Sequence, residues 1–176
     1  MSIDDFEVRS RDRSREEGPQ LAEPLPLTIV LDNLRSAFNV GSIFRTAEAA
    51  RLRELILCGI TPYPPNEKLD RTALGTVHRV SWRHAVSTLE AVRSLRAAGT
   101  EVWACELARD AVSLREVTFP RPAALVFGHE TAGVSPAVLA AASGLCRIPL
   151  YGRKNSLNVA TAFGVVVFEV LRQWGY

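Results

Sequence analysis

Short apolar runs alternate along the chain with segments whose apolar residues recur at helical spacing. Residues 27–31 (LTIVL) predict a buried strand, and strands are also expected at 54–58, 77–82, 100–105, 123–127 and 145–150. Between them, 39–50 reads as a helix with Val40, Ile43, Phe44 and Ala47 in step. A Pro-rich turn at 61–65 leads to a short helix near 69–74. Residues 84–98 predict an amphipathic helix with Val86, Leu89, Val92 and Leu95 on one stripe, stopped by Gly99. Helices are expected again at 136–142 and 157–174. This alternation predicts an α/β fold, a mostly parallel sheet with helices on both faces. The last helix has almost no polar face before Glu169, which predicts burial on more than one side and a two-fold homodimer.

Composition narrows the class. At 176 residues the chain suits one domain, and 47% hydrophobic with 23% charged residues excludes a disordered protein. The longest uncharged stretch, 131–146, is broken by Gly133, Pro136 and Gly144 and is too short to cross a bilayer. The acidic start (Asp4, Asp5, Glu7) has no apolar core, so no signal peptide is expected and the protein is assigned to the cytoplasm. Half of residues 1–20 are charged. A flexible charged tail is therefore expected over 1–22, with the folded domain over 23–176. The tail segment carries a net −2 within an overall +2, leaving +4 for the body, and all cations but Lys68 and Lys154 are arginine. Arginine grips phosphate bidentately, so the body is compatible with nucleic acid without requiring it. Cys58, Cys105 and Cys146 lack partners at metal-ligand spacing and read as buried strand thiols, so no metal is expected.

Several enzyme classes fall away. No G-x-G-x-x-G follows a strand, and no G-x-S-x-G elbow is present. Gly128 to Gly133 has P-loop glycine spacing but continues Val134-Ser135 without the lysine. His129-Glu130 starts like a zinc-protease motif, yet Gly133 stands where the second histidine belongs. Three polar clusters remain at strand ends, where open α/β sheets place ligands. They are Asn33, Arg35, Asn39, Gly41, Arg45 and Thr46; then Gly128, Glu130 and Gly133; then Gly152, Asn155, Ser156 and Asn158. Gly128 and Gly152 permit close backbone approach to a ligand.

The stretches N39-V-G-S-I-F-R-T46, L125-V-F-G-H-E-T-A-G-V134 and I148-P-L-Y-G-R-K-N-S-L-N-V159 closely resemble the three motifs of the SpoU (TrmH-like) RNA 2′-O-ribose methyltransferases of the SPOUT class. The resemblance runs in order over about 27–173. It departs at Ala160-Thr161, where the family often has Ser first, and in lacking a separate N-terminal RNA-binding domain. The resemblance implies a C-terminal trefoil knot, a homodimer, RNA (tRNA or rRNA) as substrate, and S-adenosyl-L-methionine as cofactor. By it, Leu125, Phe127, Gly128, Ile148, Leu150, Ser156, Leu157 and Asn158 hold the cofactor. Arg35, Arg45, Arg153 and Lys154 are expected to meet RNA, with plain solvated basic residues as the alternative for Arg35, Arg153 and Lys154. The same resemblance makes Arg45 the catalytic arginine, acting across the subunit boundary with Asn39, Glu130, Ser156 and Asn158. A guanidinium is a poor base, so Arg45 is expected to grip phosphate and stabilise the developing alkoxide. Asn39 either orients Arg45 or the ribose, or caps a helix; Ser156 either joins the cofactor site or caps the last helix. Glu130 holds either Arg45 or a motif loop, or forms a buried ion pair. A non-catalytic RNA-binding protein on the same scaffold is the alternative.

Overall fold

The computed structural model describes residues 23–176; the expected tail over 1–22 lies outside them. The chain runs β1 (Leu25–Asp32), α1 (Ala37–Ala49), β2 (Leu52–Cys58), α2 (Glu67–Ala73), a 3-10 turn (Thr76–His78), β3 (Trp82–Ala85), α3 (Thr88–Ala97), β4 (Glu101–Cys105), β5 (Val112–Ser113), β6 (Ala123–Gly128), α4 (Pro136–Ala141), β7 (Gly144–Arg147) and α5 (Val159–Gln173). The strands form one seven-stranded sheet in the order β3-β2-β1-β6-β4-β7-β5, and every pairing is parallel. All strands therefore end on the same edge.

Strand side chains alternate between faces, and β1 shows both. Leu25, Leu27, Ile29 and Leu31 join the core under α1, α2 and α5, with Val40, Phe44, Phe163 and Val167. Val30 faces the other way, with Ile56, Val102, Ala104 and Val126 under α3 and α4. Helix α1 lies close against α2: a Cβ on Gly41 would sit 2.7 Å from Thr72 Cβ and 2.8 Å from the Leu69 carbonyl oxygen.

The pattern misled in three places. The strand expected at 77–82 is a 3-10 turn followed by β3 from Trp82. Buried Val77 and Val80 are three apart, a helical spacing rather than a strand's. The helix expected from His84 begins at Thr88, because Ser87 Oγ accepts the Glu90 N–H as its cap. His84 belongs to β3, and Val86 is 88% exposed rather than on the stripe. Strand β7 ends at Arg147, three residues short of the expected end, and the two-residue β5 beside it has no pattern to betray it. Helix α5 buries Phe163, Val166, Val167, Val170 and Leu171, but Val165 and Phe168 are exposed on the single chain.

Candidate active site

A cavity of about 530 Å³ opens at the strand ends of β4, β6 and β7, within the size range of small-ligand sites. Phe127, Ile148, Leu150, Leu157 and Val166 supply apolar wall; Gly128, Glu130, Asn155, Ser156 and Asn158 supply backbone and polar groups. The second and third motifs thus meet in one place. The sequence did not point to Cys105, Glu106 and Leu107, which also line it. Cys105 ends β4 and the other two follow it, and only the placement of β4 between β6 and β7 brings them there.

The first motif is tied to the rim through Glu130. Its Oε2 accepts the Arg35 N–H at 2.9 Å, and its Oε1 accepts the Ser36 N–H and the Asn39 amide, both at 3.0 Å. Partial burial pushes this carboxyl up. The donated N–H groups of Arg35 and Ser36 and the Asn39 amide outweigh that, holding it below the ordinary carboxylate range. Glu130 is exposed and within this chain forms no ion pair with Arg45; its carboxylate instead takes the main chain that leads into the first motif. Asn39 Oδ1 accepts in turn from Asn158 Nδ2 at 3.1 Å.

Two capping alternatives are corrected. The cap of α1 is Ser36, whose Oγ accepts the Asn39 N–H at 3.2 Å; Asn39 sits inside the helix with its side chain turned to Glu130. The cap of α5 is Asn158, whose Oδ1 accepts from Ala160 N and Thr161 N at 2.9 and 3.4 Å. Ser156 lines the cavity instead.

Buried Asp32 fixes the loop after β6 from below, accepting from the Ser135 N–H at 3.0 Å and from the Thr88 hydroxyl. Glu106 accepts from Val134 N at 2.9 Å and Leu107 N at 2.8 Å, holding the same loop from the side. Gly128 does require close backbone approach, but to its own chain. A Cβ there would lie 2.2 Å from Gly133 C and Val134 N. At Gly152 no atom of this chain comes within 4 Å of an added Cβ.

Not every expected residue reaches the cavity. Leu125 is fully buried in the core of β6. Arg45 is exposed on α1 and does not line this chain's cavity; Arg35, Arg153 and Lys154 are exposed around it. The Cys105 and Cys146 Sγ atoms lie 3.6 Å apart at its base. Burial raises the Cys105 thiol well above its ordinary value and pushes Cys58 up to about 11, which favours the neutral thiol at both. Among the described residues there is no cluster of three metal-ligating side chains, and no helix is long and apolar enough to cross a membrane.

The family model described as the SpoU rRNA Methylase family matches residues 26–168. The tRNA (guanosine(18)-2′-O)-methyltransferase of Thermus thermophilus is 36% identical over 166 residues, covering 94% of this chain and 84% of that one. An AdoMet-bound rRNA methyltransferase from Sinorhizobium meliloti superposes with a TM-score of 0.78 at 37% identity, covering 88% of this chain and 57% of that one. A structure described as concerning the 2-OH methylation of C/U34 on tRNA gives a TM-score of 0.75 at 33% identity, covering 84% of this chain and 95% of that one. With its three motif segments gathered around one cavity and the match running from β1 into α5, this chain belongs to the SpoU rRNA methylase family.

Proposed function

We propose that the protein transfers a methyl group from S-adenosyl-L-methionine to a ribose 2′-hydroxyl of tRNA or rRNA, working as a cytoplasmic homodimer. One observation carries this reading: the hydrogen-bonded chain Glu130–Asn39–Asn158, which joins all three motif segments at the mouth of the cavity.

The lining suits the cofactor. Phe127, Ile148, Leu150, Leu157 and Val166 form an apolar wall for a flat aromatic base, and the main chain at Gly128 offers polar groups beside it. The carboxylates of Glu106 and Glu130 match a ligand carrying positive charge. When bound, S-adenosylmethionine supplies a methyl group already activated by its sulfonium. The protein's task is then to position a 2′-hydroxyl and ease loss of its proton. Ser156 and Asn158 present a hydroxyl and an amide to the ribose at the cavity rim.

The partner subunit's Arg45 completes the site, gripping the adjoining phosphate and stabilising the developing alkoxide while solvent or phosphate takes the proton. Support comes from its exposure on α1 away from this chain's own cavity. The exposed Val165 and Phe168 on α5 and Phe38 on α1 support a subunit contact on that side. The family's C-terminal trefoil knot is part of this reading. It is supported by the return of the 151–158 segment to α1 through Asn158 and by the packing of α5 on α1.

Nucleoside mass spectrometry of total tRNA and rRNA, with and without the gene, tests the reading. Loss of one 2′-O-methyl nucleoside is expected and names the base and RNA class together. Unchanged nucleosides, with no heat of cofactor binding in calorimetry, would leave the RNA-binding module instead.

A further inference from the structure

The loop that closes the cavity carries an aromatic side chain that methyl transfer does not employ. Tyr151 is 80% exposed and directly follows Leu150 of the cavity wall. The Arg115 guanidinium lies over its ring, 5.7 Å from the centroid. The two residues are brought together by the edge of the sheet, where Val112 pairs with Cys146 and Ser113 with Arg147. The Leu114 N–H donates to the Arg147 carbonyl at 2.8 Å, and Arg147 Nε donates to the Ala111 carbonyl at 3.0 Å, fixing the two segments side by side.

Charge is concentrated on the same edge. Segments 109–116 and 147–154 together hold five cations (Arg109, Arg115, Arg147, Arg153, Lys154) against two acids, Asp110 and Glu116. Arg115, Arg153 and Lys154 are exposed and make no ion pair among the described residues. An exposed ring set among free cations suits unpaired nucleic acid. Bases stack on aromatic and guanidinium planes whatever their identity, while phosphates are drawn to the surrounding charge. An apolar protein partner would need a contiguous greasy patch, yet Gly152, Arg153, Lys154, Asn155 and Ser156 follow Tyr151 directly.

We propose that Tyr151 and Arg115 form a stacking platform for an unpaired base of the substrate RNA, next to the ribose at the cavity, with Arg153 and Lys154 holding the flanking phosphates. The substrate class rests on the methyl-transfer reading; the platform itself does not require turnover.

Fluorescence anisotropy of the full chain with a labelled single-stranded oligouridylate measures the platform directly. Tyr151→Ala is expected to weaken binding roughly 5- to 150-fold for one lost base stack, with the salt slope unchanged, and Tyr151→Phe to bind like the parent. Arg153→Gln with Lys154→Gln is expected to flatten the salt slope by about 1.4, the share of two phosphate contacts on a single strand. Cofactor affinity by calorimetry and sedimentation of Tyr151→Ala should match the parent. Oligouridylate binding by Tyr151→Ala as tight as the parent's overturns the proposal. Loss of the dimer in that variant does so too, by making Tyr151 a subunit contact, and loss of cofactor binding does so by making it part of the pocket. If the parent itself binds no cofactor, the methyl-transfer reading fails, while the oligouridylate result still decides the platform.

Discussion

Asn158 Nδ2 donates to Asn39 Oδ1 at 3.1 Å across 119 residues of sequence, and this one contact joins the cap of the last helix to the first turn of the first. Asn39 cannot turn its amide without cost. Its Nδ2 is held by the Glu130 carboxylate, and reversal would set its carbonyl oxygen against that negative charge. The site geometry therefore depends on two amides oriented by one acid.

Capping and linking by Asn158 can be separated. Asn158→Asp keeps an acceptor for the Ala160 N–H but loses the donor to Asn39, placing oxygen against oxygen. It is expected to melt near the parent temperature while methyl transfer and cofactor affinity fall at least about tenfold, the equivalent of one lost charge-free hydrogen bond and its orphaned partner. Asn158→Ala loses the cap as well and should melt about 2–4 °C lower, for roughly 1 kcal/mol of capping. Calorimetry and thermal melts of the two variants read both effects; equal melting and equal affinity throughout would remove the link from the mechanism.

Glu130 gives the site an acid limit. Its folded carboxyl is held below the ordinary range, so its contribution is complete above the unfolded value of about 4.3 and is lost as pH falls through the folded one. The parent should melt above Glu130→Gln at neutral pH, and the gap should close on acidification. Melting curves at stepped pH check this; a gap that widened toward acid would contradict the hydrogen-bond account.

Gly41 stands in the first motif for packing reasons. Alanine is favoured over glycine in a helix by about 1 kcal/mol, but the new Cβ would press on Thr72 Cβ and a backbone oxygen that cannot swing away. Overpacking costs about 1–3 kcal/mol and is expected to win, leaving a net loss of up to about 2 kcal/mol, so Gly41→Ala should lower the melting temperature by up to about 8 °C. Its affinity for cofactor, titrated well below melting, should be unchanged.

A cross-subunit Arg45 predicts complementation. Arg45→Ala and Asn158→Asp homodimers should each keep no more than about a tenth of parent turnover. Their equal mixture, refolded together, should recover roughly a quarter of parent turnover, because half the dimers are mixed and each mixed dimer holds one complete site of two. Turnover that stays at the level of the separate variants in mixtures shown to exchange subunits would place Arg45 in its own chain's site.

The exposed face of α5 gives the last test. Phe168→Glu puts a charge where the isolated chain leaves a large apolar side chain half in water. Sedimentation should find a monomer with the far-ultraviolet spectrum of the parent and no turnover. A dimer that survives the change would move the subunit contact elsewhere.

The local run of residues was enough to set most of the elements and the chemistry on offer. Branched apolar runs such as LTIVL can satisfy strand geometry and burial together, the helix-spaced Val40, Ile43, Phe44 and Ala47 can bury one face, and the motif segments hold their glycines, amides and acid within a few residues. These are local properties, readable over a turn or a strand. The partners of those groups came from the packing of the sheet. That Glu130 takes the main chain of Arg35 and Ser36 rather than Arg45, and that Glu106 joins the cavity, both follow from β6 lying between β1 and β4. Strand order is set by which faces bury best over the whole sheet, and hydrogen bonds spanning ninety or more residues leave no mark on the local pattern.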